Sequence, residues 1–596
     1  MATEHNKKDG STPHLDRNLS VLRKRRPDLA DLLERADAAK VCPVSETGPF
    51  RRAMENLLRS GKAEVIYVSG VGQGDIAAEV FERTREGFGP EKTPIGLVFL
   101  EHRPEMFRAM LSLNDRTQLL ESKRTFFCVG EDLDRQCREI QTKYRLCACP
   151  HPGHFQGRCL NADEVGIYQV ALRDLDESRA RFQHRFQAQL AELQQKFRSR
   201  PAQIRKIWSS VGLADRAVQH IIRGLMEALQ RKGFEIRILE IDPEEYQPPW
   251  YCLMDICEYQ PDLIVQANFP SSLLFPRELA LHLAIPRVVW YVDSPRNFWQ
   301  QQPSFFFTTH DHVFVWDKAY LDFLRSLGAE RVEVLPYAAD IQAPLEPEDR
   351  FRSPLSFVGQ VVDQSEVRKR LSPPEREFLD RLIELRLQDT AADVPDLLAR
   401  IPREQRQILS SFSTQIHLPS FLYAAANARH RIRVLESVVQ YGLKLYGPES
   451  WLTVMDEDSP LRGCFCGPVD HRTEFPAVIR SSTINLNIHS LHALGSMNMR
   501  DFDVPLQDGF LLTDWVSGAD RFFVPDVEMV FWKGCDDLKR KIEWYLAHPD
   551  ERAAIIAHGK ARVLKDHTYD ARAGDLLRCM GMPGEGIRPS GNTAVR

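Results

Sequence analysis

Short apolar runs alternate with amphipathic stretches along most of the chain, and this alternation predicts strands and helices in turn. Residues 65–68 form an apolar run that enters the glycine-rich turn GVGQGD, and an amphipathic stretch follows. A second apolar run ends at Glu101, and the segment RTFFCVGED supplies a third. This order is typical of a parallel sheet covered by helices. We therefore predict a Rossmann-like domain at residues 48–170.

A long amphipathic helix is predicted at residues 171–203. Its apolar side chains recur at steps of three or four residues, namely Phe182, Phe186, Leu190, Leu193 and Phe197. We expect this helix to link the first domain to the next, and a short coiled-coil contact in a homodimer is the alternative. Leucines at about helical spacing also predict a helical or flexible segment at residues 1–47.

The same pattern of strands and helices recurs twice downstream. One set of apolar runs spans residues 204–345, and a second set, which begins at LSFVGQ, spans residues 346–580. The tail at 581–596 is expected to be disordered. Helices between the later strands are expected at 431–441, 473–480 and 537–547. The predicted fold class is α/β, with two Rossmann-like domains preceded by a third Rossmann-like domain and the linking helix.

The composition is that of a globular protein without a strong overall charge. The 596 residues include 83 acidic and 78 basic side chains, so the net charge of -5 favours neither nucleic acid nor an anionic membrane. No apolar run approaches the roughly 18 residues that a membrane-spanning helix needs, and the polar N-terminus is unlike a secretory signal. We therefore expect a cytoplasmic protein.

One loop contains enough sulfur and imidazole groups to raise the question of zinc. The segment CACPHPGHFQGRC contains Cys147, Cys149, His151, His154 and Cys159. However, the Cys-x-Cys spacing differs from the usual zinc knuckle, and no second paired cluster follows. We expect a surface loop without structural zinc, and we expect no metal in the functional site.

The stretch INLNIHSLHALGSMNMRDFD places hydrogen-bonding side chains at the end of a predicted strand. Its apolar residues alternate with Asn485, Asn487 and His489, although asparagine is uncommon in strands. After a Gly-Ser break the segment continues into MNMRDFD, which contains Arg500 and Asp503. Because α/β sheets bind ligands outside the carboxyl ends of their strands, we expect this segment to line a cleft.

Several motifs between residues 204 and 580 resemble those of CgeB-like glycosyltransferases, which have the GT-B architecture of two facing Rossmann-like domains. They are VVWYVDSP, LSFVG, KLYGPESW, GPVDHRTEFPAVIRSSTINLNIH, MNMRDFDVP, FLLTDW and HTYDAR. The chain departs from that pattern at Asp503, where glutamate is usual, and at Asp508, where a small glycine is usual. More loosely, GVGQGD, VFLEHRPEMFRAMLSLND and FFCVGED resemble the Rossmann-like region of motility-associated-factor glycosyltransferase-like proteins.

The resemblance implies a nucleotide sugar as donor substrate, without a separate cofactor, and a hydroxyl of a glycan, protein or small molecule as acceptor. A diphosphate favours cations, so we expect Arg500 and the Gly359 loop to bind it, while Asp503 would accept from the ribose. Further candidates lie at strand ends or in the segments that follow them: Gly212, Arg368, Lys369, Gly447, Asn485, Asn487 and Asn498.

These side chains also have structural alternatives. Arg368 and Lys369 would lie on a solvated helix face, and the asparagines would hold loop backbone. Arg500 would form an ion pair with Asp501 or Asp503.

Four residues are candidates for the catalytic base. Asp293 ends a predicted strand and would either accept the proton of the acceptor hydroxyl or cap the following turn. His310, His312 and His489 are the other three, although a lone histidine is more often a hydrogen-bonded core residue.

Two other functions remain open at this point. Gly70, Gly72 and Gly74, with Glu101, would hold S-adenosylmethionine in a methyltransferase-type domain. The spacing from the turn to the acid is longer than usual for such a domain, which disfavours this alternative. A non-catalytic scaffold of a surface-glycan or flagellar pathway is the third.

Overall fold

The computed structural model describes residues 13–37, 52–53, 55–57, 65–85, 95–144, 146, 152–156, 160–198, 204–212, 216–242, 251–268, 284–296, 307–340, 345–389, 392, 394–409 and 418–582. The chain forms two compact units. The first comprises Met1–Pro201, Gly212–Ala214 and Leu239–Gln260, and the second comprises Ala202–Val211, Asp215–Ile238 and Pro261–Arg596. No helix in the described ranges combines the length and the apolar character needed to cross a membrane.

The strands of the described residues are short. They are β1 (Val65–Ser69), β2 (Gly96–Glu101), β3 (Thr125–Val129), β4 (Pro152–Gln156), β5 (Lys206–Gly212), β6 (Glu235–Ile241), β7 (Leu263–Ala267), β8 (Arg287–Tyr291), β9 (Asp311–Val315), β10 (Arg331–Val334), β11 (Ser353–Val358), β12 (Leu443–Tyr446), β13 (Phe465–Gly467), β14 (Ser482–Asn487), β15 (Leu511–Asp514) and β16 (Val530–Trp532).

Helices separate most of these strands. They are α1 (Pro13–Arg25), α2 (Pro27–Arg35), α3 (Asp75–Arg83), α4 (Pro104–Leu113), α5 (Thr117–Glu121), α6 (Leu133–Tyr144), α7 (Ala162–Arg198), α8 (Arg216–Arg231), α9 (Tyr251–Tyr259), α10 (Leu321–Ser326), α11 (Ser365–Lys369), α12 (Pro373–Gln388), α13 (Val394–Ala399), α14 (Leu418–Glu436), α15 (Ser450–Val454), α16 (Phe475–Ser481), α17 (Arg500–Leu506), α18 (Cys535–Ala547), α19 (Pro549–Asp566) and α20 (Tyr569–Cys579).

The first unit contains a four-stranded parallel sheet in the order β3-β2-β1-β4. The strands β1, β2 and β3 are fully buried, which explains their continuous apolar sequence. Leu15 and Leu33, from α1 and α2, pack in the same core as Val68 and Phe99. The helical part of the N-terminal segment is therefore built into this sheet's core. The helix α7 contains the predicted apolar spacing, but it begins at Ala162 and ends at Arg198, earlier at both ends than the predicted residues 171–203. That it links two domains remains a prediction.

The second unit contains two six-stranded sheets, in the orders β10-β9-β8-β7-β5-β6 and β13-β12-β11-β14-β15-β16. Each strand pair with a described register in these sheets is parallel. In the last sheet the chain leaves β11 towards β12 on one side and leaves β14 towards β15 on the other. The adjacent carboxyl ends of β11 and β14 thus form a switch point, where α/β sheets leave a crevice for ligands.

The segment between β11 and β12 differs most from the prediction. One helix was expected at residues 431–441, but the described chain contains α11, α12, α13 and α14, and α14 ends at Glu436. The start of α12 did carry a signal, because Ser372 and Glu375 form a capping box followed by proline at the first helical positions.

Candidate functional site

Two glycines bring the loops after β11 and β12 into close contact at the switch point. A Cβ atom on Gly447 would lie 2.2 Å from the carbonyl oxygen of Gly359 and 2.6 Å from Nε1 of Trp451. The backbone N–H of Gly359 donates to Tyr446, and its oxygen accepts from Trp451. The N–H of Gly359 is therefore already bonded, so these glycines shape the crevice.

Asn485 is a structural residue in this arrangement. Its side-chain oxygen accepts from Ser356, and its Nδ2 donates to the carbonyl oxygens of Ile479 and Phe510. Each polar atom of the buried amide is thus bonded within the protein. The prediction of Asn485 as a donor-binding residue is not supported, and the alternative that it holds loop backbone describes its contacts.

Asn487 and Asn498 position Arg500. The Oδ1 atom of Asn487 accepts from Nε of Arg500 and from Nδ2 of Asn498, both at 3.2 Å. Asn487 also donates to Asp501 and Thr513, and the Oδ1 atom of Asn498 accepts from the backbone N–H of Arg500. The two amides therefore fix the guanidinium rather than leave groups free for a ligand.

His489 is the cation of a buried charged triad. Its Nε2 lies 2.7 Å from Asp501 and its Nδ1 lies 2.7 Å from Asp514. Burial lowers the pKa of His489, but the two carboxylates outweigh it and raise the pKa to about 10. Because both ring nitrogens are bonded, the structure does not support the prediction that His489 is a general base. It anchors the loop between β14 and α17.

The backbone of the turn into α17 is also occupied. The N–H groups of Arg500, Asp501, Phe502 and Asp503 are bonded to Asn498 or to the backbone of the preceding turn. The sequence suggests free N–H donors here, and the structure corrects that expectation. Side chains are the groups that this turn offers to an anion.

Arg431 and Arg500 bring two positive charges to the switch point. Arg431, on α14, donates to the carbonyl oxygens of Gln360 at 2.5 Å and Ile488 at 3.2 Å, which follow β11 and β14. Burial lowers the pKa of Arg431 to about 10, and the nearby charge of Arg500 contributes. Burial also lowers the pKa of Arg500, against the opposing effect of Asp501 and Asp503. Sequence reasoning missed Arg431, because nothing in a helical RHRIRV segment marks one arginine as buried.

The two arginines have no carboxylate hydrogen-bond partner among the described residues. Asp501, the nearest candidate for Arg500 by sequence, bonds to His489, Asn487 and the backbone N–H of Asn498. The predicted alternative of a structural ion pair at Arg500 therefore finds no support in these contacts.

Asp503 is a buried carboxyl group with unused hydrogen-bonding capacity. Its Oδ2 atom has no hydrogen-bond partner within the described chain, and the nearest imidazole, Nε2 of His471, is 3.9 Å away. Burial raises the pKa of Asp503 to about 8, although Arg500 lowers it. Burial and the neighbouring His220 lower the pKa of His471 to about 4. A buried acceptor without a partner is unusual in a folded protein and is suited to hydroxyl donors of a ligand.

Arg368 and Lys369 lie in a surface ion-pair network. Arg368 pairs with Asp380, which also accepts from Arg429, and Lys369 pairs with Glu366. The prediction that these two side chains support a diphosphate is not supported, since carboxylates on α11 and α12 already neutralise them. These contacts are those of a solvated helix face, the alternative named above.

Asp293 lies near a histidine that the sequence analysis did not select. The Asp293 side chain is 43% exposed, and its Oδ1 lies 3.7 Å from Nε2 of His492. Burial lowers the pKa of His492, and its Nδ1 has no hydrogen-bond partner among the described atoms. Asp293 also accepts from the backbone N–H of Ser294, as the predicted cap would. Its catalytic role remains a prediction.

His310 and His312 lie at the opposite edge of their sheet from Asp293. They stand at the amino end of β9, and His312 bonds to Arg331. Because ligands bind at the carboxyl ends of parallel strands, this position argues against a catalytic role for either histidine.

At Asp508 the chain has an aspartate where CgeB-like glycosyltransferases usually have a glycine, and local contacts explain this difference. Asp508 has a φ of 60°, a left-handed conformation that glycine adopts without strain, and its carboxylate pairs with Arg480 and Lys560. The neighbouring Gly509 packs against Ile479, 2.3 Å from where a Cβ would lie. These contacts hold the turn after α17 and involve no residue of the crevice.

In the first unit, the glycine turn and Glu101 bond to each other. Glu101 is fully buried, and its carboxylate accepts from the backbone N–H of Val71 at 3.0 Å and the hydroxyl of Tyr168 at 3.2 Å. A Cβ atom on Gly74, whose φ is 81°, would lie 2.6 Å from Met110. The carboxylate of Glu101, which would be needed to accept from the hydroxyls of a ligand, thus accepts hydrogen bonds from the protein and stabilises the glycine turn.

Gly212 was predicted to contribute to donor binding. Gly212 ends β5, and an added Cβ atom would meet no atom of the described chain within 4 Å, so no close approach requires glycine there.

The loop that was predicted to hold no structural zinc is only partly described. Cys147, Cys149, His151 and Cys159 lie outside the described residues. Within the described residues, no group of three His, Cys, Asp or Glu side chains is arranged to hold a metal.

Comparison with known proteins identifies a family for one part of the chain. Residues 422–578, which include Arg431, His489, Arg500 and Asp503, match the family model described as glycosyl transferase-like. No curated protein matches the chain significantly. The match covers less than half of the chain, and it supports sugar transfer over the methyltransferase and scaffold alternatives.

Several solved structures also match the chain, each at low sequence identity. Sucrose-phosphate synthase from Thermosynechococcus elongatus is 13% identical with a TM-score of 0.38, covering 63% of this chain and 99% of that chain. A glycosyltransferase from Rickettsia africae is 9% identical with a TM-score of 0.35, covering 63% and 97%. Anabaena HepE in complex with UDP-glucose is 11% identical with a TM-score of 0.36, covering 63% and 99%. Similarities at such low TM-scores support no conclusion about function. The functional proposal below depends on the contacts at the switch point and on the family match.

Proposed function

We propose that the protein transfers a glycosyl group from a nucleotide-activated sugar to a hydroxyl group, and that the donor binds at the switch point between β11 and β14. The observation that carries this proposal is the pair of positive charges on the buried Arg431 and the half-buried Arg500, neither of which has a carboxylate hydrogen-bond partner among the described residues. The charge of Arg500 lowers the pKa of Arg431, and an anion beside the two guanidinium groups would offset this repulsion. A diphosphate supplies that anion.

The diphosphate and the ribose of a sugar nucleotide would each have a counterpart in this site. Arg500, held by Asn487 and Asn498, would donate to the diphosphate, and Arg431 would add positive potential while joining the two loops. The open oxygen of Asp503 would accept from ribose hydroxyls. The motifs shared with CgeB-like glycosyltransferases favour that subtype, in which a glutamate usually stands at the position of Asp503.

The reaction needs a base but no oxidant or reductant. The acceptor oxygen would form a bond to the anomeric carbon, while the bond from that carbon to the diphosphate oxygen breaks and leaves its electron pair on the nucleoside diphosphate. The proton of the acceptor hydroxyl would pass to a base, for which Asp293, beside His492, is our candidate. The positive charges at the switch point would stabilise the leaving group.

A thermal-shift screen of the full chain tests this proposal. Nucleoside diphosphates and nucleotide sugars should raise the melting temperature, since a ligand at a hundred times its Kd stabilises the native state by about 2.7 kcal/mol. The matched controls are the corresponding nucleosides, which lack the diphosphate, and S-adenosylmethionine. Stabilisation by nucleosides alone or by S-adenosylmethionine, or no stabilisation by any nucleotide, would overturn the proposal.

A further inference from the structure

A cavity of about 280 Å³ lies next to Asp293 in the second unit, with Ser294 and His492 in its wall. Most of the side chains that line it are apolar or aromatic, and α13 and α14, from the segment between β11 and β12, supply several of them. They include Tyr320, Phe323, Leu397, Leu422, Tyr423 and Leu494. Walls of this composition, with a few polar groups, are typical of small-molecule sites.

The two arginines in the wall are engaged by the protein. Both terminal nitrogens of Arg386 donate to main-chain carbonyl oxygens, those of Ala392 and Leu491. The guanidinium of Arg296 lies 5.1 Å from the ring centre of Phe323, where the electrons of the ring attract a cation. An anionic ligand would have to displace the main-chain oxygens at Arg386, so the contacts of this cavity favour a neutral ligand.

His492 brings an imidazole nitrogen to this wall that the protein leaves open. Its ring centre lies 4.8 Å from that of Tyr423 and 5.2 Å from that of Trp316, and its carbonyl oxygen accepts from the hydroxyl of Tyr320 at 2.7 Å. These contacts fix the ring, whose Nε2 faces Asp293 at 3.7 Å. Its Nδ1 is buried and has no hydrogen-bond partner in the described part of the chain. Such an atom in the wall of a ligand-sized cavity is suited to a hydroxyl group.

We infer that this cavity binds a neutral aromatic molecule with a hydroxyl group, that the hydroxyl bonds to Nδ1 of His492, and that this molecule is the acceptor. Its ring packs against the aromatic side chains of the wall. In the transfer, its hydroxyl oxygen bonds to the anomeric carbon, the nucleoside diphosphate leaves with the electron pair of the broken bond, and the hydroxyl proton passes to the pair formed by His492 and Asp293. The role as acceptor rests on the proposed glycosyl transfer, whereas the binding of the molecule does not.

Ligand-observed NMR titration of the full chain tests the inference with four probes: 4-isopropylphenol, its methyl ether, 4-hydroxybenzoate and glucose. We expect the phenol to bind about tenfold or more tightly than glucose, because it buries an apolar ring, and more tightly than 4-hydroxybenzoate, which has a similar shape but carries a negative charge. The phenol should also bind about 2- to 12-fold more tightly than its methyl ether, which cannot donate a hydrogen bond to the imidazole.

Two variants separate this inference from the proposed donor site. His492→Phe keeps an aromatic ring beside Tyr423 but lacks the nitrogens, so the advantage of the phenol over its methyl ether should disappear. Arg500→Ala should bind the phenol as the wild type does. Glucose or 4-hydroxybenzoate binding to the wild type at least as tightly as the phenol would overturn the inference, and this comparison requires no variant to fold. Phenol binding lost in Arg500→Ala would also overturn it, since the phenol would then occupy the donor crevice.

Discussion

Two turns of this protein occupy the same topological position but differ in what their polar groups do. The glycine turn after β1 lies where the first sheet reverses its strand order between β1 and β4, and the loop after β14 lies at the reversal between β11 and β14. In the first, Glu101 bonds to Val71 and Tyr168. In the second, Arg431 and Arg500 donate only to neutral oxygens in the described part of the chain, and Oδ2 of Asp503 has no hydrogen-bond partner there.

The comparison shows that a glycine-rich turn and an acid at the next strand do not by themselves indicate a ligand. Both turns contain buried polar groups, and such groups are almost always hydrogen-bonded in native proteins. Where the protein supplies every partner, the turn is complete without a ligand. Where a positioned cation and a buried carboxyl remain open, as at the second turn, we propose that a ligand is the missing partner.

The largest expected effect on stability concerns His489, which anchors the loop after β14. Replacing His489 by glutamine leaves Asp501 and Asp514 buried without their cation, so we expect a loss of about 3–5 kcal/mol in the free energy of unfolding at pH 6. Because the pKa of His489 is raised to about 10 in the fold, its contribution is complete below about pH 6.5, its unfolded value, and disappears as pH rises towards 10. Denaturant titrations at pH 6 and pH 9 measure both effects.

The matched control for that experiment is His558→Gln, at an exposed histidine of α19. It should leave the free energy of unfolding nearly unchanged at both pH values. An equally small effect of His489→Gln would mean that the triad does not anchor the loop.

A second prediction concerns Asp503, whose pKa is raised to about 8 by burial. Between pH 4 and pH 8 the native state keeps a proton that the unfolded chain has released, so the wild type loses stability as pH rises. Asp503→Asn lacks this dependence and should gain about 2–4 kcal/mol relative to the wild type between pH 5 and pH 8. Parallel pH dependences of the two unfolding free energies would show that Asp503 is not a strained carboxyl group.

A third prediction concerns the first turn. Glu101 accepts from the backbone N–H groups of Val71 and Arg103 and from the hydroxyl of Tyr168. In Glu101→Gln an amide N–H would face at least one of these donors in place of an acceptor, so we expect a loss of about 1–3 kcal/mol in the free energy of unfolding. Nucleotide affinity should not change, and calorimetry should detect no S-adenosylmethionine binding to the wild type. If the wild type bound S-adenosylmethionine with micromolar affinity and Gly72→Asp abolished that binding, the glycine turn after β1 would be a ligand site, which contradicts the comparison between the two turns.

The smallest effect is expected at Asp508. Glycine there removes the strain of a left-handed aspartate but loses the ion pairs with Arg480 and Lys560, so the net change in stability should be within about 1 kcal/mol. Donor affinity should be unchanged, and a calorimetric titration of Asp508→Gly checks this. A clear change in affinity would place Asp508 in the donor site after all.

Much of the fold was predictable because the strands are buried apolar runs. The pattern located β1, β2, β3, β7 and β8 to within a few residues and predicted parallel α/β sheets, since fully buried strands carry a strong local signal. The helices between β11 and β12 were largely missed, because their charged sequences hide the apolar positions that pack together in the fold. The predicted domain boundaries remain predictions.

The sequence predicted the location of the candidate site, but it did not predict the role of each side chain there. The polar end of the INLNIH strand and Arg500 do meet at a switch point, as the alternating pattern indicated. However, nothing local distinguishes Asn487, which holds Arg500, from Asn485, which holds backbone, because their partners lie up to 129 residues away. Arg431 and His492 were missed for the same reason, since burial and long-range contacts define them.

Isothermal calorimetry on Arg500→Ala tests the central claim most directly, using the nucleotide sugar that stabilises the wild type best and Arg540→Ala, an exposed arginine of α18, as the matched control. Losing a charge-assisted hydrogen bond costs about 1.5–3 kcal/mol, so we expect affinity to fall by roughly 10- to 150-fold in Arg500→Ala and to stay unchanged in Arg540→Ala. The free energy of unfolding should remain close to that of the wild type. An Arg500→Ala protein that unfolds readily but keeps its nucleotide affinity would contradict the account, because the arginine would then be a structural residue of the turn.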